Sequence, residues 1–164
     1  MSINDSIATC DTQSWLRVAS LVLRLVESGH SGQSSLVKMD GLRVRRGMYT
    51  VLIDGGPDSE PAFREDSAEL CPALERALSG ISLSVESNSA DGTGPGVIAD
   101  LLEGLNSFAR AGAVVSVRVD HARAPEFLQV HVGSGNAYFH VEGSELQPLL
   151  EEAIVFAESL QGST

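Results

Sequence analysis

The stretch Phe127–Gly143, "FLQVHVGSGNAYFHVEG", constrains the fold most tightly. Apolar and polar residues alternate strictly on both sides of a short glycine-containing turn, and a period of two belongs to a strand with one buried face. Leu128, Val130 and Val132 face the same way as Ala137, Phe139 and Val141. The other face carries Gln129, His131, Tyr138, His140 and Glu142. With Ser134-Gly135 as a two-residue turn, His131 falls opposite Tyr138 and Gln129 opposite His140, so the two histidines are diagonal neighbours. The preceding run repeats the rule: Val115, Val117 and Val119 point one way, Ser116, Arg118 and Asp120 the other. A sheet with one apolar face needs helices to cover that face only. The expected class is therefore α+β, a mostly antiparallel sheet with helices packed on one face.

Helical periodicity supplies those covers. Apolar residues recur at three and four positions over about Thr12–Ser28, closed by Gly29, and over Pro95–Arg110, closed by Gly112. They recur again over about Ser144–Leu160, where Ser144 and Gln147 read as a capping box. A further helix is expected over Asp66–Ser79, with Glu69 back-capping Asp66 and Pro72 either kinking it or marking its first turn. Strands are expected at Ser35–Asp40, Leu42–Arg46, Met48–Asp54, Ile81–Ser87, Ala113–Asp120, Glu126–Gly133 and Asn136–Glu142. Asp54–Glu65 reads as an acidic Pro/Gly loop. The order helix, three strands, helix thus occurs in residues 12–80 and again in 95–160, which suggests a duplicated unit within one domain spanning 12–160. Residues 1–11 read as a loose terminus and 161–164 as a polar tail.

Charge narrows the partners. The 164-residue chain has a net charge of −11, with 8 basic and 11 acidic groups in residues 1–80 but 3 and 11 in residues 81–164. That balance argues against nucleic acid, whose phosphates need clustered Lys and Arg; the local exception is Lys38, Arg43, Arg45 and Arg46. An acidic surface suits a basic protein partner and also serves solubility. No apolar run is long enough for a membrane span, and no basic leader precedes an apolar core, so a cytoplasmic protein is expected. Cys10 and Cys71 form no metal-type spacing, and Cys71 reads as a buried thiol.

Candidate chemistry lies in two places. Arg118, Gln129, His131, Tyr138 and His140 share one sheet face, where histidine could serve acid–base work or a metal, or where the patch could meet a protein. "GHSGQ" at Gly29–Gln33 lacks the second glycine and the preceding strand of a nucleophile elbow. The second place is "SADGTGPGVIADLLEGL" at Ser89–Leu105. It carries no P-loop Lys-Ser/Thr, and Val97 stands where a dinucleotide fingerprint needs its last glycine. Pro95 removes a donor from the turn.

Over Ile81–Val119, strand, glycine loop, amphipathic helix and strand resemble the acyl-CoA-dependent N-acetyltransferase superfamily. That resemblance implies an enzyme whose pyrophosphate donors are the amides around Gly94 and Gly96. The chain departs from the family's pattern at Asp91, where Gln or Arg is usual, at Pro95, and in the two strands that follow Val119 directly.

The leading expectation is a non-enzymatic, acidic protein-binding module that uses no cofactor. In size, charge and element order it resembles two functional types. One is the immunity protein; the other is the class I secretion chaperone, whose order of helix, three strands and helix resembles Thr12–Ser79. Such chaperones usually dimerise, and the first helix and the sheet edges here would allow a homodimer.

Overall fold

The computed structural model describes residues 12–43, 47–55, 60–80 and 94–162. Its elements run α1 (Thr12–His30), β1 (Ser35–Asp40), β2 (Tyr49–Ile53), β3 (Phe63–Ser67), α2 (Leu70–Ser79), α3 (Pro95–Arg110), β4 (Val114–Val119), β5 (Leu128–Ser134), β6 (Ala137–Gly143) and α4 (Leu146–Gln161), with a 3-10 turn at His121–Arg123. The strands form one six-stranded antiparallel sheet in the order β3-β2-β1-β4-β5-β6. The chain is therefore α+β, as its patterning requires. No helix among the described residues is long and apolar enough to cross a membrane.

The sheet order is symmetric about the β1–β4 seam. Each half is a meander of three strands entered from one helix and left by another, and the two first strands pair at the centre. The apolar sheet face (Val37, Val51, Val117, Val130 and neighbours) is covered by all four helices. Helices α1 and α3 pack on each other over the seam, α2 lies over β2 and β3, and α4 lies over β5 and β6. Trp15, Leu21, Leu74, Leu102 and Leu150 are essentially inaccessible to solvent. Burying a side chain of this size contributes about 2 kcal/mol, so this layer supplies the main driving force.

The two halves also share residues at matching places once their strands are aligned. "VKMD" (Val37–Asp40) and "VRVD" (Val117–Asp120) occupy matching stretches of the two seam strands. After the third strand of each half, "ELCPALERA" (Glu69–Ala77) and "ELQPLLEEA" (Glu145–Ala153) open the closing helices. Glu69 and Glu145 are the N-cap residues, with nearly the same backbone (φ −126°, ψ 118° and φ −122°, ψ 128°). The prolines fall in the first turn, where a missing N–H costs nothing.

Several expectations change. Leu42 and Arg43 lie in and just after a turn rather than in a strand, and residues 44–46 lie outside the described residues, as does the strand expected at Ile81–Ser87. The acidic loop ends early, because Phe63–Ser67, "FREDS", pairs with β2 as an edge strand. Helix α2 accordingly starts at Leu70 rather than Asp66, and Pro72 marks its first turn. Neither expected capping box forms: neither Glu69 nor Glu145 makes a side-chain cap bond, and Ser67 Oγ instead accepts from the Glu69 N–H at 3.1 Å. Helix α1 continues through Gly29 to His30. Cys71 is half-buried, with its thiol 4.0 Å from Glu75 Oε1.

Candidate functional site

The sheet face opposite the helices carries the polar set. Strand register places Leu52, Leu36, Arg118, Gln129 and Glu142 in one row across it, and Thr50, Lys38, Ser116, His131 and His140 in the next. A trough of about 590 Å³ crosses this face obliquely. Its floor is apolar at Leu36, Leu52 and Val114, and Arg118, His131 and Tyr138 supply polar walls.

The hairpin register differs by two residues from the expected one. Ser134 pairs with Ala137, so the turn is Gly135-Asn136, and Gly135 alone carries the positive φ (+57°) that such a turn needs at its first position. A turn at Ser134-Gly135 would put that conformation on serine. Because the shift is even, every side chain keeps its face. Its consequence is that His131 sits directly opposite His140, not diagonal to it, and Gln129 opposite Glu142.

The two imidazoles stack face to face, with centroids 4.4 Å apart and planes 11° apart. His131 Nδ1 lies 2.6 Å from the Tyr138 hydroxyl, and His140 Nε2 lies 3.2 Å from Glu142 Oε1. Partial burial, the facing His140 and nearby Arg118 hold His131 below its ordinary pKa, against the pull of Glu142. His131 thus favours the neutral ring. Tyr138 is 66% exposed, so the pair stands at an open surface.

A charge network occurs twice on this face. In the first half, Asp40 accepts from the Leu42 N–H at 3.1 Å and pairs with Lys38 at 2.9 Å and Arg43 Nε at 3.4 Å. Arg43 also donates to Asp66 at 2.9 Å and Thr50 at 3.1 Å, while the Thr50 hydroxyl donates to Asp66 at 2.6 Å. In the second half, Asp120 accepts from the Ala122 N–H at 3.2 Å and pairs with Arg118 at 3.5 Å and Arg123 Nε at 3.9 Å. Arg123 also pairs with Glu142, to which Gln129 donates at 3.1 Å. Lys38 corresponds to Arg118, Arg43 to Arg123, Thr50 to Gln129 and Asp66 to Glu142. Burial would raise the Asp40 pKa, but the bonds from Lys38 and the Leu42 amide, with Arg43 nearby, outweigh it and hold it low. For Asp66 the Thr50 hydroxyl is the main depressing influence, joined by Arg43.

The five residues expected to share a patch do share this face, with different roles. Arg118, His131 and Tyr138 line the trough; His140 stacks behind His131; Gln129 is buried and orients Glu142. Leu36, Leu52 and Val114 escaped the sequence reading, although apolar residues at polar-face positions were the available signal. Lys38 and Arg43 of the expected basic group are tied to Asp40 and Asp66, and Arg45 and Arg46 lie outside the described residues.

Gly94 is the N-cap of α3 and Gly96 lies in its first turn, on the helical side of the sheet. A Cβ added to either would meet nothing within 4 Å, so no close backbone packing requires glycine there. Among the described residues, no three His, Cys, Asp or Glu side chains converge as a metal site. No family model matches the chain, nor does any curated protein or solved structure.

Proposed function

We propose that this chain is a protein-binding module rather than an enzyme, and that its binding face is the open side of the sheet. The trough carries the proposal: an apolar floor of Leu36, Leu52 and Val114 beside Arg118, His131 and Tyr138 matches the mixed chemistry of a protein interface, where aromatic and Arg residues supply anchors. Tyr138, 66% exposed at the trough's wall, is placed to meet a protein segment. Within this reading the secretion-chaperone type is favoured over the immunity type. Both halves follow the order helix, three strands, helix, and one chain carries the two units side by side, where dimerising chaperones use two chains. A cytoplasmic setting belongs to the same proposal.

The test is capture of a dominant protein from native extract by wild-type chain, compared with Leu36→Glu and Tyr138→Ala. Both variants should lose it, while Arg24→Gln, at an exposed position of α1, should retain it. Retention by the trough variants, with folding verified by circular dichroism, refutes the proposal.

A further inference from the structure

The two outer edges of the sheet are matching positions in the repeat, so each serves as a control for the other. Edge β3 is guarded. Three of its residues, Arg64, Glu65 and Asp66, are charged, and Glu65 is held by both arms of Arg76 on α2, one bond measuring 2.8 Å. Charge is a common means of preventing another strand from adding to an edge.

Edge β6 keeps only one of these charges, Glu142, on the open face. Where β3 has Phe63, Arg64, Glu65 and Asp66, β6 has Phe139, His140, Val141 and Glu142. Val141 replaces the clamped glutamate, and Glu152 of α4 replaces its arginine. The strand has seven residues without Pro, Lys or Arg, and its outer row of backbone N–H and C=O groups faces no further strand among the described residues. Its helical side is apolar: Phe139 stacks on Phe156 of α4 at 5.0 Å, beside half-buried Val141. Glu152 lies one helical turn from Phe156 on the same flank, and Glu145 is the residue at that helix's N-cap position. Helix α4 contains three glutamates and no basic residue, and neither Glu145 nor Glu152 has an ion-pair partner among the described residues.

We propose that the outer edge of β6, which no described strand covers, accepts an extended segment of another protein as a seventh strand, with apolar side chains laid on Phe139, Val141 and Phe156 and basic ones beside Glu145 and Glu152. The open edge supplies main-chain hydrogen bonds and the alternating flank supplies selectivity. The unpaired carboxylates select a basic segment. They also disfavour a second copy of this chain, which would bring Glu145 and Glu152 of each copy to the same edge. The site shares β6 with the trough through Tyr138 but uses the strand's outer edge and its helical side, so Leu36→Glu tests the trough alone and Glu152→Lys the edge alone.

The test is amide hydrogen exchange of the full chain with two probes, an eight-residue alternating Val/Lys peptide and its Val/Glu counterpart. The Val/Lys peptide should slow exchange in Ala137–Gly143 by about tenfold at saturation and leave Phe63–Ser67 unchanged. The Val/Glu peptide should have no effect. Val141→Lys, which installs an edge guard, and Glu152→Lys, on the exposed helix surface, should both abolish the protection, while Leu36→Glu should leave it intact. If Val141→Lys does not fold, Glu152→Lys decides. Equal protection by both peptides, protection of β3 as well, or protection that rises with protein concentration without peptide overturns the proposal; the last would point to a second copy.

Discussion

Arg43 and Arg123 are held alike. Each turns back to an aspartate three residues earlier and reaches across to the carboxylate of its own half's edge strand, Asp66 for one and Glu142 for the other. Arg43 lies closer to its aspartate than Arg123, 3.4 Å against 3.9 Å, and is less exposed, 32% against 52%. Arg43→Met should therefore cost about 1 kcal/mol and Arg123→Met less, since exposed pairs are screened by water. Urea unfolding checks the order, and raising salt from about 0.1 M to 1 M should shrink both losses. Equal losses insensitive to salt would show that the guanidinium stems, not the charges, matter here.

His131 sets a pH dependence. Because the folded protein holds His131 below its ordinary pKa, the unfolded chain binds the proton more readily. The contribution is fully present above the unfolded value of about 6.5 and is lost as pH falls through the lower folded value. Stability should thus decline on acidification below neutrality, and His131→Gln should flatten that part of the profile. An unchanged slope between pH 7.5 and 5.5 in the variant would contradict this account.

Tyr49 and Asn106 tie β2 to α3. Both are buried, and the tyrosine hydroxyl donates to Asn106 Oδ1 at 2.7 Å. Tyr49→Phe leaves a buried amide oxygen short of a donor and should cost about 1–2 kcal/mol. Adding Asn106→Leu should recover part of the loss, because an apolar pair leaves no unmatched group. Additive losses in the double variant would argue against the coupling.

Gly41 marks the closest approach between the β1 turn and the end of α3. A Cβ there would lie 1.6 Å from the Ala109 carbonyl oxygen and 2.9 Å from that of Ala113, which also accepts from the Gly41 N–H. Backbone atoms cannot yield as a flexible side chain can. Gly41→Ala should cost about 3 kcal/mol or more, whereas Gly112→Ala, with open space but φ of +109°, should cost about 1 kcal/mol. Thermal melts of the two variants test the ranking.

Alternation and helical periodicity were enough to read the helices and strands of the second half, because each of its strands has one clean apolar face. Edge strand β3 was not legible. Its residues Arg64, Glu65 and Asp66 hide the period of two behind charge, and only pairing with β2 reveals it. The paired face of His131, Tyr138 and His140 followed from parity alone, but which histidine faced which depended on a turn choice that sequence left between two glycine dipeptides. The doubled charge network was hidden for another reason. The connections between strands differ in length in the two halves, so no single shift of the sequence against itself aligns Lys38 with Arg118 and Asp66 with Glu142 together.

The symmetric strand order carries a consequence for valency. An assembly of two identical chains must present the same edge at both ends, and whatever binds one end can bind the other. Such a molecule can bridge partners or grow into a chain. Here the halves are joined covalently and differ: Glu65 is clamped by Arg76 at one rim, and Val141 and Glu152 stand at the corresponding positions of the other. With the proposed edge site the molecule has two ends but one receptive one, so the expected complex at the rim is one segment per chain, and it terminates there.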